Sequence, residues 1–163
     1  MTRFEEGLQV IEERCGNGKD NVIALATISL EPNAAGGPRP CVREVDAFYE
    51  DGVFYITTLA QSTKMRQIAR NPEVAFAVSG QWLSGNGIAE NLGWVLDPKN
   101  ASLREKLRAA FAPWYDSAND ESDENLIILA VRITEATVIK DHGAVRYHLD
   151  FVNRVEKSEG QVK

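Results

Sequence analysis

"RPCVREVDAFYEDGVFYITT", residues 39–58, decides how the chain is read. Two stretches rich in β-branched and aromatic residues flank the short break "EDG" (50–52). Such residues suit a pleated surface, and a break ending in glycine suits a hairpin turn. Residues 39–49 and 53–58 are therefore expected to be antiparallel neighbours. A parallel crossover would need a dozen or more residues between them. A dinucleotide-binding parallel sheet would also need a glycine-rich turn after its first strand, and "SLEPNAAGGP" (29–38) contains no GxGxxG.

Outward from that hairpin the pattern repeats. "NVIALATISL" (21–30) reads as a buried strand and "EPNAAGGP" (31–38) as a loop. "STKMRQIARN" (62–71) has helical spacing, with Met65, Ile68 and Ala69 on one side. "EVAFAVS" (73–79) is a strand, and "QWLSGNGIAENLGWVL" (81–96) a long or broken one loosened by Gly85, Gly87 and Gly93. "NASLREKLRAAFAPWY" (100–115) is a helix with Leu103, Leu107, Ala110 and Phe111 on one face, closed by Pro113. "DSANDESDEN" (116–125) is an acidic, solvated loop. "LIILAVRI" (126–133) and "ATVIKD" (136–141) read as two strands, "VRYHLDFV" (145–152) as a weaker last one, and the tail from Asn153 as frayed. A first helix over 4–14 places Phe4, Leu8 and Ile11 together and stops at Gly16 and Gly18. Short strands on tight turns with three helices inserted predict an α+β domain, an antiparallel barrel with peripheral helices.

The 163 residues are expected to form one domain, 1–163, with a core over about 20–152. A net charge of −6 argues against nucleic acid or an anionic membrane as the main partner. The amphipathic, acidic start is unlike a leader peptide, and no apolar run is long enough to span a bilayer. With Cys15 and Cys41 in no CxxC pair, a cytoplasmic protein with reduced thiols is expected. Each thiol reads as a small packing group. His142 and His148 lack the spacing of a zinc site, so no metal centre is expected.

The turn "YITTLAQSTK" (55–64) gathers Thr57, Thr58, Ser62, Thr63 and Lys64 just before a helix. Ser62 capping the helix, with Lys64 in water, explains it plainly. A phosphate site explains it too, because a helix N-terminus carries free amides and positive partial charge. Arg43 favours the second reading. Strand alternation puts it with Cys41, Val45 and Ala47 on a small, apolar side, while Glu44 and Asp46 point the other way. A guanidinium there wants an anion, either a phosphate or an acid such as Glu73.

Together, "PRPCVREV", "DGVFYITTLAQSTKMRQIARNPEVAFAV" and "WLSGNG" resemble the pyridoxamine 5′-phosphate oxidase-like FMN-binding split barrels, over residues 20–95. The resemblance implies a split β-barrel that holds FMN. Its phosphate would lie on Arg43, Thr58, Ser62 and Lys64, with Thr63 in the same turn. Ile56 and Thr57 would follow the isoalloxazine or ribityl chain. Trp82 matches a position facing the flavin, often from a second subunit; core packing is its other reading. A homodimer with interfacial cofactor sites is implied, with oxidoreductase chemistry from a reduced nicotinamide or small substrate to an acceptor. No catalytic acid or base is identified. Trp114 and Tyr115 are candidates to line a planar-substrate pocket, against packing at a helix end. "HGAVRYHLDFVNRVEK" (142–157) offers His142, Arg146, His148 and Arg154 but no motif of the oxidases' C-terminal substrate segment. The chain therefore looks closer to the general-stress-protein and nitroimidazole-resistance branches. Alternatives are a non-catalytic flavin-binding protein, a deazaflavin protein using Lys64, Arg66 and Arg70, or a haem protein using His142 or His148.

Overall fold

The computed structural model describes residues 1–158. The elements are α1 (Arg3–Cys15), β1 (Asn21–Ile28), β2 (Pro40–Glu50), β3 (Val53–Leu59), α2 (Thr63–Arg70), β4 (Glu73–Val78), β5 (Leu83–Trp94), α3 (Ala101–Ala110), α4 (Tyr115–Ala118), β6 (Leu126–Lys140), β7 (Val145–Asp150) and β8 (Val155–Glu156). All strand pairings are antiparallel. The order β3-β2-β1-β4-β5-β6 closes through β3–β6, giving a six-stranded barrel with β7 and β8 as an extension. The fold is an α+β split barrel with peripheral helices.

The hairpin forms where its sequence places it, but it is short. β2 and β3 pair only from Phe48–Glu50 to Val53–Tyr55. Beyond Ala47, β2 stays with β1; beyond Tyr55, β3 stays with β6. The barrel is therefore split between these two strands.

Two apolar clusters hold the fold. One fills the barrel with Ile23, Leu25, Phe54, Ile56, Phe76, Leu129 and Val131. The other lies outside the wall, where Leu107, Phe111 and Tyr115 cover Phe48, Leu126 and Ile128. Both faces of "LIILAV" (126–131) are thereby buried, which is why this run does not alternate. Each fully buried aliphatic or aromatic side chain here contributes about 1.5–3 kcal/mol. The helices α1 and α2 close opposite ends of the barrel. At the first end, Asn21 Nδ2 donates to Cys15 O (2.9 Å) and Ala47 O (3.1 Å). At the second, Gln67 meets Thr27.

Several expectations need correction. The two strands read at 126–133 and 136–141 are one strand, β6. The ladder slips at Thr134: Gly87 faces Ile133 and Asn86 faces Glu135. The bulge lets β6 leave β3 and take up β7 without a break. Gly85 and Gly87 make it possible, since a Cβ at Gly87 would stand 2.7 Å from the Arg132 carbonyl oxygen and one at Gly85 would meet that of Glu135. Trp82 lies in the turn before β5, not in the strand. The helix read over 100–115 ends at Ala110, and Tyr115–Ala118 form a separate turn of helix inside the expected acidic loop. Ala69 is exposed, while Gln67 takes the buried place beside Met65 and Ile68. The tail is tied down through Ser158. Burial works against the Glu156 charge, but hydrogen bonds from Ser158, the His148 amide and Arg3 outweigh it and bring the carboxyl to about 2. The expected fraying over 159–163 lies outside the described residues.

Candidate functional site

Arg43 sits on β2 opposite Leu25 and points into the α2 end of the barrel. Its Nη1 donates to Leu25 O (3.1 Å) and to Thr27 Oγ1 (2.6 Å), and its Nη2 to Gln67 Oε1 (3.0 Å). The Thr27 hydroxyl also donates to Gln67 Oε1 at 2.5 Å. These neutral acceptors orient the guanidinium without neutralising it. Among the described residues Arg43 has no ion pair, so neither Glu44, Asp46 nor Glu73 balances it. Burial pulls its pKa below the ordinary value, against a weaker upward effect of Cys41.

Lys64, in the first turn of α2, lies near enough to feel that charge. Burial lowers its pKa first and repulsion from Arg43 adds to it. Among the described residues its ammonium has neither a hydrogen-bond nor an ion-pair partner. Ser62 occupies the N-cap position, yet its side chain makes no capping bond. Its Oγ is buried with no partner. The first helical amide bond is Arg66 N to Ser62 O (3.1 Å), so the Thr63, Lys64 and Met65 amides precede it. Two adjacent cations without an ion pair among the described residues, a buried hydroxyl without a partner and a helix N-terminus are features that favour an anion.

The split opens beside this corner. A cleft of about 480 Å³ is lined by Val45 and Asp46 on β2 and by Ile56, Thr57, Thr58 and Leu59 on β3. Trp114 and Asn119 help form its outer wall. Thr58 and Leu59 end the cleft and lead into the turn that carries Ser62 and Lys64. The β3 edge facing the split has no ladder partner beyond Tyr55. Asn119 Nδ2 is also buried without a partner. Burial, reinforced by a hydrogen bond and repulsion from Asp20, pushes the Asp46 carboxyl up to about 6. Trp114 Nε1 fixes Asp20 by donating to its Oδ2 at 2.8 Å.

Thus Arg43, Ser62 and Lys64 gather at one corner, and Ile56, Thr57 and Thr58 line the adjoining cleft. Thr63 is exposed on the same turn. Trp82 is not with them: it is 72% exposed and lies past the α1 end of the barrel. Trp82 O accepts from Ile139 N, whereas Thr58 faces Ile127, twelve residues back along β6. Trp114 lies on the cleft, while Tyr115 is buried in the outer cluster, as helix-end packing predicts. Thr27, Gln67, Asp46 and Asn119 escaped the reading of the sequence. Gln67 alone left a signal, a polar residue at helical spacing between Met65 and Ile68.

No family model and no curated protein matches the sequence. Solved structures do match the fold. General Stress Protein 26 from Bacillus anthracis is 19% identical, with a TM-score of 0.57 over 83% of this chain and 92% of that one. A pyridoxamine 5′-phosphate oxidase-related, FMN binding protein from Nostoc punctiforme is 15% identical, with a TM-score of 0.56 over 91% of each chain. An F420 reductase is 22% identical, with a TM-score of 0.56 over 77% of this chain and 94% of that one. The chain has the fold of the pyridoxamine 5′-phosphate oxidase-like split barrels.

Proposed function

We propose that the split cleft binds FMN and that the protein is an FMN-dependent oxidoreductase. Arg43 and Lys64 bind the phosphate as paired cations, Ser62 gives its unpartnered hydroxyl, and Thr58 closes the site at the end of β3. The free edge of Ile56–Thr57 lies along the ring system. When bound, the flavin supplies the redox chemistry, taking electrons from a reduced nicotinamide or small substrate and returning them to an acceptor. The chain binds and orients it and shields one face from water. A homodimer completes the site. The outer face of β1, β2 and β4 supports this, with Val22 and Val42 exposed at 40% and 69% beside Ala24, Ala26 and Ala75, and with Glu44 as the charge opposite Ala24. Any contact of Trp82 with flavin would then come from the partner protomer.

One observation carries the reading: Arg43 and Lys64 lie together, half-buried, with no carboxylate among the described residues to balance them. The test is reconstitution with FMN followed by absorbance and fluorescence titration. Arg43→Ala and Lys64→Ala are each expected to weaken FMN binding by about 1.5–3 kcal/mol, the worth of a charge-assisted hydrogen bond. Unchanged affinity in both variants would place the phosphate elsewhere. Bleaching by a reduced nicotinamide, with colour restored by an acceptor, would establish turnover. A flavin that binds but does not bleach with any donor would leave a binding protein without the enzyme.

A further inference from the structure

Away from the split, a second pocket of about 580 Å³ opens at the α1 end of the barrel. Arg14, Trp82, Lys140, Asp141, His142 and Arg146 line it. Its walls are fixed by hydrogen bonds. Arg14 Nη1 bridges Gln81 O (2.7 Å) and Ile139 O (2.8 Å), and Ile139 N donates to Trp82 O (3.0 Å). The turn before β5 is thus braced against the end of β6, and Arg146 enters from β7, opposite Ile139.

Two features set this pocket apart, an exposed indole and a cluster of basic side chains. Trp82 is 72% exposed, whereas Trp94 and Trp114 are half-buried with their ring N–H groups bonded to Glu121 O and Asp20. Its backbone is left-handed, with φ 51°, and so are Asp141 and His142 across the pocket, each at φ 53°. In a chain of net charge −6, this pocket gathers Arg14, Lys140 and Arg146, with His142 beside them, against a single acid, Asp141. Among the described residues Lys140, His142 and Arg146 take part in no ion pair. An exposed indole face beside unbalanced cations is suited to a planar ring that carries an anion.

We propose that this pocket binds a nucleoside monophosphate, its base stacked on Trp82 and its phosphate held by Lys140, His142 and Arg146. A pocket of this volume lies within the range that holds small ligands. Arg14 acts as a brace and adds its charge to the rim. The assignment takes Trp82 as serving the pocket of its own protomer, in place of a contact with a partner's flavin.

The experiment is calorimetric titration of the purified protein with AMP, with adenosine and inorganic phosphate as separate arms. AMP is expected to bind and to quench the exposed tryptophan, and each half alone to bind at least roughly tenfold more weakly. Trp82→Ala and the double variant Lys140→Ala/Arg146→Ala are each expected to raise the AMP Kd by roughly tenfold or more. Both changes lie on the exposed rim, and circular dichroism checks that the barrel persists. Arg43→Ala is expected to leave the AMP affinity unchanged. No binding of AMP, or binding that Trp82→Ala leaves intact, overturns the proposal. Loss of AMP binding in Arg43→Ala also overturns it, because the nucleotide would then occupy the split cleft. Failure of FMN to bind would not touch this result, so the two sites are tested separately.

Discussion

Arg43 and Lys64 repel each other across a half-buried corner, so each raises the cost of the other. An anion placed between them removes that cost. Inorganic phosphate is therefore expected to raise the melting temperature of the flavin-free protein, and the Arg43→Ala/Lys64→Ala double variant to lose this response. Thermal scans at constant ionic strength decide it, and an equal rise in both proteins would mean a general salt effect. Asp46 gives a pH signature. Its carboxyl is raised from 3.8 to about 6, so the folded state holds a proton that the unfolded chain releases. That stability is fully present below the ordinary carboxylate value and is lost as pH rises through about 6. Asp46→Asn is expected to flatten the fall in melting temperature over this window, and an unaltered slope would show that the folded state does not hold Asp46 protonated there. Arg43 was legible in the sequence because strand alternation fixes which side a residue faces. Thr27 and Gln67 were not, because their meeting depends on how α2 docks over the end of β1, which no local pattern encodes.

At the scale of elements, β6 teaches the most. Its interruption at "ITEAT" (133–137) looks like a boundary, since Thr134 and Glu135 break the apolar run. The structure absorbs these residues in a bulge, and the strand changes partner without ending. A strand's end depends on whether its neighbours continue, and those neighbours lie far away in sequence. The glycines of β5 are the readable part of this device. Gly87→Val would force a side chain against the Arg132 carbonyl. It is expected to cost about 1–3 kcal/mol or more in urea unfolding, the range for overpacked sites. A neutral result would mean that the bulge relaxes freely. The turn of α2 shows the converse. Its boundaries, with Ser62 before Thr63 and Asn71 after Arg70, were plain from the sequence, yet Ser62 does not cap. A cap residue identifies where a helix starts and not where its hydroxyl points.

For the whole molecule, hairpin length and strand spacing predicted an antiparallel barrel, and that is the architecture found. The cleft was legible only in part: Ile56, Thr57, Thr58 and Trp114 were candidates, but that Trp114 and Asn119 fold back over β2 and β3 from far along the chain is not written in any local pattern. Assembly has its own prediction. Val42→Glu would set a second negative charge beside Glu44 on the exposed face of β1, β2 and β4. Light scattering is expected to show a dimer for the parent chain and a monomer for this variant. A parent chain that runs as a monomer would remove the homodimer from the proposal.

The brevity of the β2–β3 pairing has a consequence for handling the protein. Beyond three residue pairs, two strand edges face each other with vacant hydrogen-bonding groups. Such edges can recruit a stray strand from another molecule as readily as a heterocycle. On the proposed reading, material prepared without FMN is therefore expected to clump on concentration, and material reconstituted with FMN to stay dispersed.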